Sequence, residues 1–456
     1  MSLTLCNVHF SDKNDRTVYM SGSLYRSLKL SGIDKLQIKL GRETVSAPVK
    51  AVQREGNHVY LSASLRQQIR VPKSGNVYMI QSAEDEVQLG PLIGILSDGY
   101  VNNSLPFGSR TGFIKELIRT GDKKAYFFAF SPRDINWVEE TVYGYFLDEN
   151  GSWYRKTVPL PDVVYNRLPS RKAETGSYIS SLRDRFVRKS IPFFNWSFFN
   201  KSDVYNLLDK DVEALRHLPE SVSSPTDEQI RELLEKHHFV YFKPTAGSLG
   251  DGIFRLTYHP KKGYFARYRS GGKNVLLRFG SFQELMRIMH ARVGASFKSY
   301  VVQQGIRLVE IDGCPLDFRF HMHKNGKNEW VTAGVGAKKA GKGSVTTHIK
   351  NGGSLMTPGN ALSRTFGSEA GEVLEKAKRV AVKMSEAIER NYPHRLGELG
   401  LDLGIDKDGD IWMFEANAKP GRSIFKHPAL KSEGRDSLEY ILDHCLYLSR
   451  FRGRDS

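Results

Sequence analysis

A lysine followed by a glycine-rich segment marks the middle of the chain as a place where phosphate chemistry could occur. Lys243 ends an apolar run at residues 239–243, and Gly247, Gly250 and Gly252 follow it closely. Because glycine has no Cβ, backbone N–H groups in such a loop can approach phosphate oxygens. A lysine fixed at a strand end adds a compact positive charge beside them. The segment is typical of a phosphate-binding loop, although a glycine-rich turn with an exposed lysine has the same composition.

The two commonest nucleotide-binding motifs do not occur here. The sequence contains no Gly-x-x-x-x-Gly-Lys-Ser/Thr, and the segment after Lys243 does not match Gly-x-Gly-x-x-Gly. The sequence therefore disfavours P-loop and dinucleotide-binding folds.

A β-hairpin is predicted near the end of the chain. Two strand-like runs, at residues 398–405 and 411–417, flank a turn that contains Asp408-Gly409. An Asp-Gly pair between apolar runs is the strongest short-range signal for a hairpin.

This hairpin would bring three oxygen donors together. Closing it places Asp402 opposite Phe414 or Glu415, and Glu415 and Asn417 share a face because side chains alternate along a strand. Two carboxylates and one amide suit Mg²⁺, which takes a few protein oxygens and completes its coordination with water and phosphates. Burying these groups without a cation would be costly. An edge hairpin with exposed acidic residues is the alternative.

The composition describes a basic globular protein. Of 456 residues, 40% are hydrophobic and 26% are charged, and the net charge is +17. This charge attracts nucleic acid, nucleotide phosphates or acidic peptides alike, and a generic solvated surface would also account for it. The first residues lack a secretory signal, and no apolar run reaches membrane-spanning length. With three widely spaced cysteines, we expect a cytoplasmic protein without a membrane span.

The first predicted domain spans residues 1–88. Residues 21–30 and 61–71 resemble each other in their small-polar and apolar spacing, and alternating apolar residues follow each copy. This pattern indicates a small β-domain with a weak internal duplication.

Two further domains are predicted after it. A continuous apolar run at residues 92–96 is followed by a helical segment at 112–120 and a strand-like run at 125–130. This order is typical of a parallel α/β unit, which we assign to residues 89–195. Residues 196–456 form the third domain and contain the two motifs described above.

In their order and spacing the motifs resemble those of ATP-grasp enzymes. A lysine precedes a glycine-rich loop, Asp317-Phe318-Arg319 follows on a strand, and Asp402 precedes Glu415-Ala416-Asn417. The chain is similar to the YheC/YheD family of ATP-grasp proteins, called endospore coat-associated, over nearly its whole length. The resemblance implies an α/β fold in which an ATP-grasp domain follows a small Rossmann-like α/β domain and a small N-terminal β-domain.

The resemblance also implies a site for ATP and Mg²⁺. Asp402, Glu415 and Asn417 would hold Mg²⁺, and residues 304–306 would form the hinge whose backbone meets the adenine, with Asp317 near the ribose. The residues implied to bind ATP are Lys201, Lys243, Gly247, Ser248, Gly250, Gly252, Gln304, Gly305, Ile306 and Asp317.

Two cations, Arg319 and Lys338, are implied to be catalytic. Lys338 stands where many relatives have an arginine, and it keeps the positive charge without the bidentate fork of a guanidinium. His348 also departs from the family pattern, and we expect it to serve packing or to face a substrate.

The implied activity is that of a magnesium-dependent ligase. A carboxylate attacks the γ-phosphate of ATP, and an amine captures the acyl phosphate. We expect an unknown carboxylate and amine, with an acidic peptide or another polyanion as a substrate that fits the charge, and a link to the spore coat. An ATP-grasp phosphotransferase is one alternative. A basic coat or nucleic-acid-binding protein is another, since residues 261–269 interleave aromatics and cations.

Overall fold

The computed structural model describes residues 3–199, 201–245, 252–344, 347 and 352–452, and it describes only the backbone of Lys201 and Ser202. The described strands form a closed barrel and three open sheets that follow one another along the chain. Helices and sheets are both substantial, so the predicted α/β class is confirmed. Among the described residues, no helix combines the length and apolar character needed to cross a bilayer.

The barrel occupies the N-terminal part of the chain. β1 pairs in parallel with β5 and antiparallel with β6, which closes the barrel. Its elements are β1 (Leu3–Ser11), β2 (Val18–Ser21), α1 (Gly22–Ser27), β3 (Lys35–Leu40), β4 (Glu43–Val52), β5 (His58–Ser62), α2 (Ala63–Ile69), β6 (Gly75–Ala83) and β7 (Glu86–Gly90).

Both copies of the sequence repeat adopt the same local structure. Ser21 ends β2 and precedes α1, and Ser62 ends β5 and precedes α2, where its hydroxyl accepts from the backbone N–H of Leu65. The predicted alternating strands after each copy are confirmed as β3 and β6, whose apolar residues point into the barrel.

The central sheet belongs to an α/β unit and contains parallel and antiparallel strand pairs in equal number. β8 pairs in parallel with β9 and with β13, as the order of apolar runs predicted. Its elements are β8 (Leu92–Leu96), α3 (Thr111–Gly121), β9 (Tyr126–Phe130), β10 (Ile135–Asn136), β11 (Thr141–Leu147), β12 (Trp153–Pro159), β13 (Val163–Asn166), α4 (Arg171–Glu174), α5 (Ser177–Arg188) and β14 (Phe193–Phe194).

The mid-chain sheet is antiparallel and carries Lys243. Its strand order is β15-β20-β16-β17-β18-β19, and a capping box formed by Thr226 and Gln229 begins α8. The elements of this part are α6 (Lys201–Leu208), α7 (Val212–Leu215), β15 (Ser221–Ser223), α8 (Asp227–His237), β16 (Phe239–Pro244), β17 (Phe254–His259), β18 (Gly263–Ser270), β19 (Lys273–Phe279), α9 (Phe282–Val293) and β20 (Tyr300–Gln304).

Burial separates the two faces of the mid-chain sheet. Val240 and Phe242 pack with residues of α8 and α9 in one hydrophobic cluster. Because side chains alternate along a strand, Tyr241 and Lys243 lie on the opposite face of β16. The lysine is thus directed away from the helices that stabilise its strand.

The C-terminal sheet carries the predicted metal ligands. The hairpin is confirmed as β25 and β26, and the sheet order is β24-β23-β22-β25-β26 with β21 paired to β22. The elements are β21 (Glu310–Ile311), β22 (Cys314–Lys324), β23 (Trp330–Lys339), β24 (Ser354–Met356), α10 (Pro358–Phe366), α11 (Ala370–Asn391), β25 (Glu398–Ile405), β26 (Ile411–Asn417) and α12 (Lys431–Leu448).

Helices cover the C-terminal sheet on one face. The apolar stripe of α11 packs against Phe318 and Phe320 of β22 and Leu401 of β25. The alternate residues of these strands therefore lie on the other face, where Arg319 and Asp402 are found.

The last helix returns to the central sheet. Ile441 and Cys445 of α12 share a hydrophobic cluster with Ile93 of β8 and Phe127 of β9. The divisions at residues 1–88, 89–195 and 196–456 stay predictions, and the central sheet takes part of its core from the third of them.

Candidate nucleotide and metal site

The register of four neighbouring strands brings the predicted polar residues onto one face. Asp317 of β22 lies opposite Lys338 of β23, and Arg319 of β22 lies opposite Asp402 of β25. Asp402 in turn lies opposite Glu415 of β26, with a bulge immediately after it. The predicted register of the hairpin is thus confirmed to the residue pair. Strand pairing, rather than loop geometry, fixes the positions of these five side chains.

Asp402 is bound by two cations. The Nε and Nη2 atoms of Arg319 donate to the two carboxylate oxygens of Asp402, each at 2.7 Å. The Nζ atom of Lys338 donates to Asp402 Oδ1 at 2.9 Å and lies 3.3 Å from Asp317 Oδ1. The side chains of Arg319, Lys338 and Asp402 are each 16% exposed.

The cations control the protonation of Asp402. Burial alone would raise the pKa of this carboxyl, but Arg319 and Lys338 hold it well below its usual range. Burial would likewise lower the pKa of both cations, and the nearby carboxylates raise it instead. All three groups are therefore charged at neutral pH, which concentrates charge in a site largely shielded from water.

Further oxygen-bearing side chains lie near Asp402. Glu415 is the cross-strand partner of Asp402, and Asn417 lies two residues further along the same face. The carboxylate of Asp317 lies near these groups, with its Oδ1 in an ion pair with Lys338 and its Oδ2 accepting from the Thr347 hydroxyl. Hard oxygen ligands of this kind are those that Mg²⁺ prefers.

Lys243 is held by a hydrogen-bonded glutamine. Its Nζ atom donates to Gln303 Oε1 at 2.6 Å, and only 9% of the lysine is exposed. The Gln303 amide donates to the Tyr205 hydroxyl at 2.5 Å and to Ser221 Oγ at 3.0 Å. The ammonium group is therefore oriented by neighbours from β20, α6 and β15 before any ligand binds.

A cavity of about 540 Å³ joins the two sheets. Lys243, Thr245 and Gln304 line it from the mid-chain sheet, and Trp412 lines it from β26, three residues before Glu415. This volume is typical of a small-molecule site. The mid-chain lysine and the C-terminal hairpin thus reach the same cavity.

The predicted hinge lies at the edge of this cavity. Gln304 ends β20, and its backbone N–H donates to Glu220 O at 2.8 Å. The N–H of Gly305 donates to Phe239 O at 3.0 Å, and a Cβ at Gly305 would lie 2.1 Å from the Phe239 ring. A glycine is therefore needed at this position for close packing. The next residue of the predicted hinge, Ile306, is buried, with 9% of it exposed.

Comparison with known proteins finds relatives of this chain. A model of the "YheC/D like ATP-grasp" family matches residues 190–448, which is more than half of the chain. The chain belongs to this ATP-grasp family. Its similarity to endospore coat-associated protein YheD of Bacillus subtilis is 34% identity and covers 95% of both chains. Its similarity to YheC of the same organism is 25% identity over 71% of this chain and 88% of YheC.

Solved ATP-grasp structures are more distant from this chain. D-alanyl-alanine synthetase A from Vibrio cholerae is 13% identical, with a TM-score of 0.47, over 79% of this chain and 99% of its own. The ATP-grasp ligase PsnB, in a complex with a minimal precursor, Mg and ADP, is 15% identical, with a TM-score of 0.41, over 77% of this chain and 97% of its own.

Several predicted ATP-grasp residues lie outside the described part of the chain. Gly247, Ser248 and Gly250 of the glycine-rich segment are among them, as are His348 and the side chain of Lys201. Gly252 is described, and its φ of +72° is a conformation that favours glycine.

A buried histidine pair continues the row of polar residues on the ATP-grasp sheet, and sequence reasoning missed it. His321 and His323 follow Arg319 on the same face of β22, and Glu398 is the cross-strand partner of His323. Nitrogen or oxygen atoms of these three residues lie within 4.8 Å of one another, as metal ligands could. The alternation of polar and apolar residues from Asp317 to His323 was the available signal.

The surroundings of this pair disfavour a metal ion. Glu398 Oε1 already accepts from Arg167 and from the Tyr165 hydroxyl, each at 2.6 Å. Burial lowers the pKa of both histidines, and nearby guanidinium groups, including that of Arg422, lower it further. A cation placed here would meet the same repulsion that keeps the imidazoles neutral.

Proposed function

We propose that this chain is a magnesium-dependent ATP-grasp ligase that activates a carboxylate as an acyl phosphate. Membership of the ATP-grasp family supports an ATP-dependent ligase. The observation that carries the finer proposal is the cavity that Lys243 and the β25–β26 hairpin share. Trp412 is the hairpin residue that lines this cavity, and Asp402, Glu415 and Asn417 do not line it themselves. A triphosphate that starts at Lys243 and extends along β26 past Trp412 would meet these oxygen donors.

The chain's own residues suit binding and charge neutralisation. Lys243, oriented by Gln303, would bind phosphate oxygens, and residues 304–306 would contact the base. Asp317 would lie near the ribose. Arg319 and Lys338 would stabilise the negative charge that develops on the transferred phosphoryl group. The two cations are held on adjacent strands by Asp402, so little reorganisation is needed when the reaction occurs.

The metal ligands in this proposal are Asp402, Glu415 and Asn417. Mg²⁺ would supply further neutralisation of the phosphate oxygens. Lys201 and the glycine-rich segment with Gly247, Ser248, Gly250 and Gly252 would complete the phosphate site.

The reaction follows from these roles. A substrate carboxylate oxygen forms a bond to the γ-phosphorus while the bond to the bridging oxygen of ADP breaks. An amine nitrogen then attacks the acyl carbon, phosphate leaves, and the amine gives up one proton. The chain positions the reactants, which suits phosphoryl transfer, where positioning and electrostatic stabilisation supply most of the catalysis.

The test is ATP turnover by the purified chain with Mg²⁺ and a panel of carboxylates and amines, acidic peptides included. We expect ADP release that depends on a carboxylate and produces an amide. Lys243→Met should raise the KM for ATP on the order of tenfold or more, since a charge-assisted hydrogen bond contributes about 1.5–3 kcal/mol. Lys298→Met, at an exposed lysine outside the cavity, is the matched control.

The products separate the alternatives. A stable phosphorylated acceptor without an amide would assign a phosphotransferase instead. A wild-type chain that binds no nucleotide, yet binds RNA with a steep salt dependence, would assign the fold a structural role.

The relatives' names motivate the remaining part of the proposal. YheD and YheC are called endospore coat-associated. We infer that the protein acts in the cytoplasm on a component of the spore coat. A fluorescent fusion that never concentrates at the developing spore would contradict this inference.

A further inference from the structure

A second cavity, of about 800 Å³, lies where three parts of the chain meet. The barrel contributes Lys39 and Gln88, the central α/β unit contributes Asp162, and the end of α12 contributes Tyr447. We call this space the junction cavity. It shares no lining residue with the cavity at Lys243.

The junction cavity carries an excess of positive charge. Its cations come from the barrel and from the C-terminal part of the chain, and they are Lys39, Arg42, Arg395, Arg450 and Arg452. Among the described residues, only two carboxylates, those of Glu86 and Asp162, line the same space. Within the described residues none of the five cations is in a salt bridge, and all except Lys39 are exposed.

The Asp162 carboxylate is fixed by the fold and offsets at most one of these five positive charges. Its Oδ1 accepts from the Gln88 amide at 2.6 Å, and its Oδ2 accepts from the backbone N–H of Leu92 at 2.7 Å. Burial raises the pKa of Asp162 to about 6, although Lys39 and Arg42 lie close enough to lower it. The five cations line one cavity and outnumber its two carboxylates, so they repel one another. An anionic ligand would relieve that repulsion.

The walls of the junction cavity are apolar and aromatic. Trp196 stacks on His394 with ring centroids 4.0 Å apart, and the Arg452 guanidinium lies 4.4 Å from the centre of the Tyr447 ring. Val187, which is 55% exposed, adds an apolar surface. Apolar surface beside exposed cations suits a peptide, which can carry both apolar and charged side chains. A polyphosphate is uniformly charged and suits such a cavity less well.

We propose that the junction cavity binds a carboxylate-rich peptide segment. Carboxylates of the peptide pair with the rim arginines, and its apolar side chains contact Trp196 and Val187. The two carboxylates that line the cavity, Glu86 and Asp162, act against a ligand with one charge at every unit, such as a nucleic acid. Because the cavity is separate from the nucleotide site, this binding does not depend on the proposed ligase activity.

The test measures binding of a fluorescein-labelled eight-residue peptide of alternating glutamate and valine to the chain by fluorescence anisotropy. Arg42→Glu combined with Arg450→Glu should weaken binding about tenfold or more, since both rim charges change sign. Arg54→Glu combined with Lys327→Glu makes the same change in net charge at residues outside the cavity, and it should leave the affinity nearly unchanged. Arg42→Gln with Arg450→Gln serves if the reversed pair fails to fold.

Each outcome decides the proposal. Equal weakening by the cavity pair and the control pair would assign the binding to the overall charge and overturn the proposal. Failure of the wild type to bind the alternating glutamate–valine peptide, or displacement of that peptide by short RNA at equal concentration, would overturn it as well. Loss of peptide binding with unchanged Mg·ATP binding in the cavity variants would support it independently of the catalytic site.

Discussion

Removing the carboxylate of Asp402 tests how the candidate site is held together. Asp402→Asn keeps the side-chain shape but replaces one oxygen with an N–H donor. Asp402 accepts two hydrogen bonds from Arg319 and one from Lys338. The amide oxygen of asparagine can accept only some of these three hydrogen bonds, and the amide N–H group then faces a cationic donor.

The expected cost follows from burial. Breaking a buried ion pair by removing one partner destabilises a protein by about 3–5 kcal/mol, because a charge is left buried without compensation. Arg319 and Lys338 are each 16% exposed, so water can solvate their unpaired charges only in part. We expect Asp402→Asn to lower the free energy of unfolding of the C-terminal sheet by about 3 kcal/mol at pH 7.

A double-mutant cycle isolates the pair. Arg319→Met alone leaves Asp402 with one cation, whereas Arg319→Met with Asp402→Asn removes both members of the bidentate pair. We expect the double variant to be about 2 kcal/mol more stable than the sum of the single effects predicts, since groups in direct contact couple. Urea unfolding followed by tryptophan fluorescence suits the measurement, because Trp330 and Trp412 lie in this sheet.

Two results would refute the reasoning. Additive effects of the single changes would mean that the guanidinium and the carboxylate are not energetically paired. A loss below about 1 kcal/mol in Asp402→Asn would mean that the pair behaves as an exposed one.

Three further changes give checks of their own. Gln303→Leu removes the acceptor of the Lys243 ammonium and should raise the KM for ATP about tenfold, measured by steady-state turnover. Gly305→Ala forces a Cβ against the Phe239 ring and should cost about 1–3 kcal/mol in urea unfolding; an unchanged midpoint would show that the ring moves freely. Burial raises the pKa of Asp162 to about 6, above its unfolded value of about 3.9, so the folded chain binds this proton more tightly and loses stability as pH rises from about 4 to 6. Asp162→Asn should abolish that part of the pH dependence, measured by urea unfolding at both ends of the window.

Local sequence signals were sufficient for several parts of the fold and site. The Asp-Gly turn defined the β25–β26 hairpin and the pairing of Asp402 with Glu415, because a tight turn leaves little freedom in register. Apolar runs identified β8, β9 and β16 in the same way. A strand or hairpin could be predicted from the sequence where the residues that determine it lie within about twenty residues of one another.

Contacts between distant segments could not be predicted in this way. Nothing in the sequence near Lys243 shows that Gln303, sixty residues later, holds its ammonium group. The pairing of Asp402 with Arg319 likewise depends on β22 and β25 becoming neighbours, although the two lie eighty-three residues apart. Register across a sheet is set by the complete set of strands, which no single segment encodes.

The return of α12 to the central sheet has a consequence for synthesis on the ribosome. Strands β8 and β9 emerge early, but the helix that shares their hydrophobic core through Ile441 and Cys445 is translated more than three hundred residues later. Until then, one apolar surface of the nascent protein lacks its cover and is exposed to premature association. The central unit can therefore complete its hydrophobic core only after α12 has been translated.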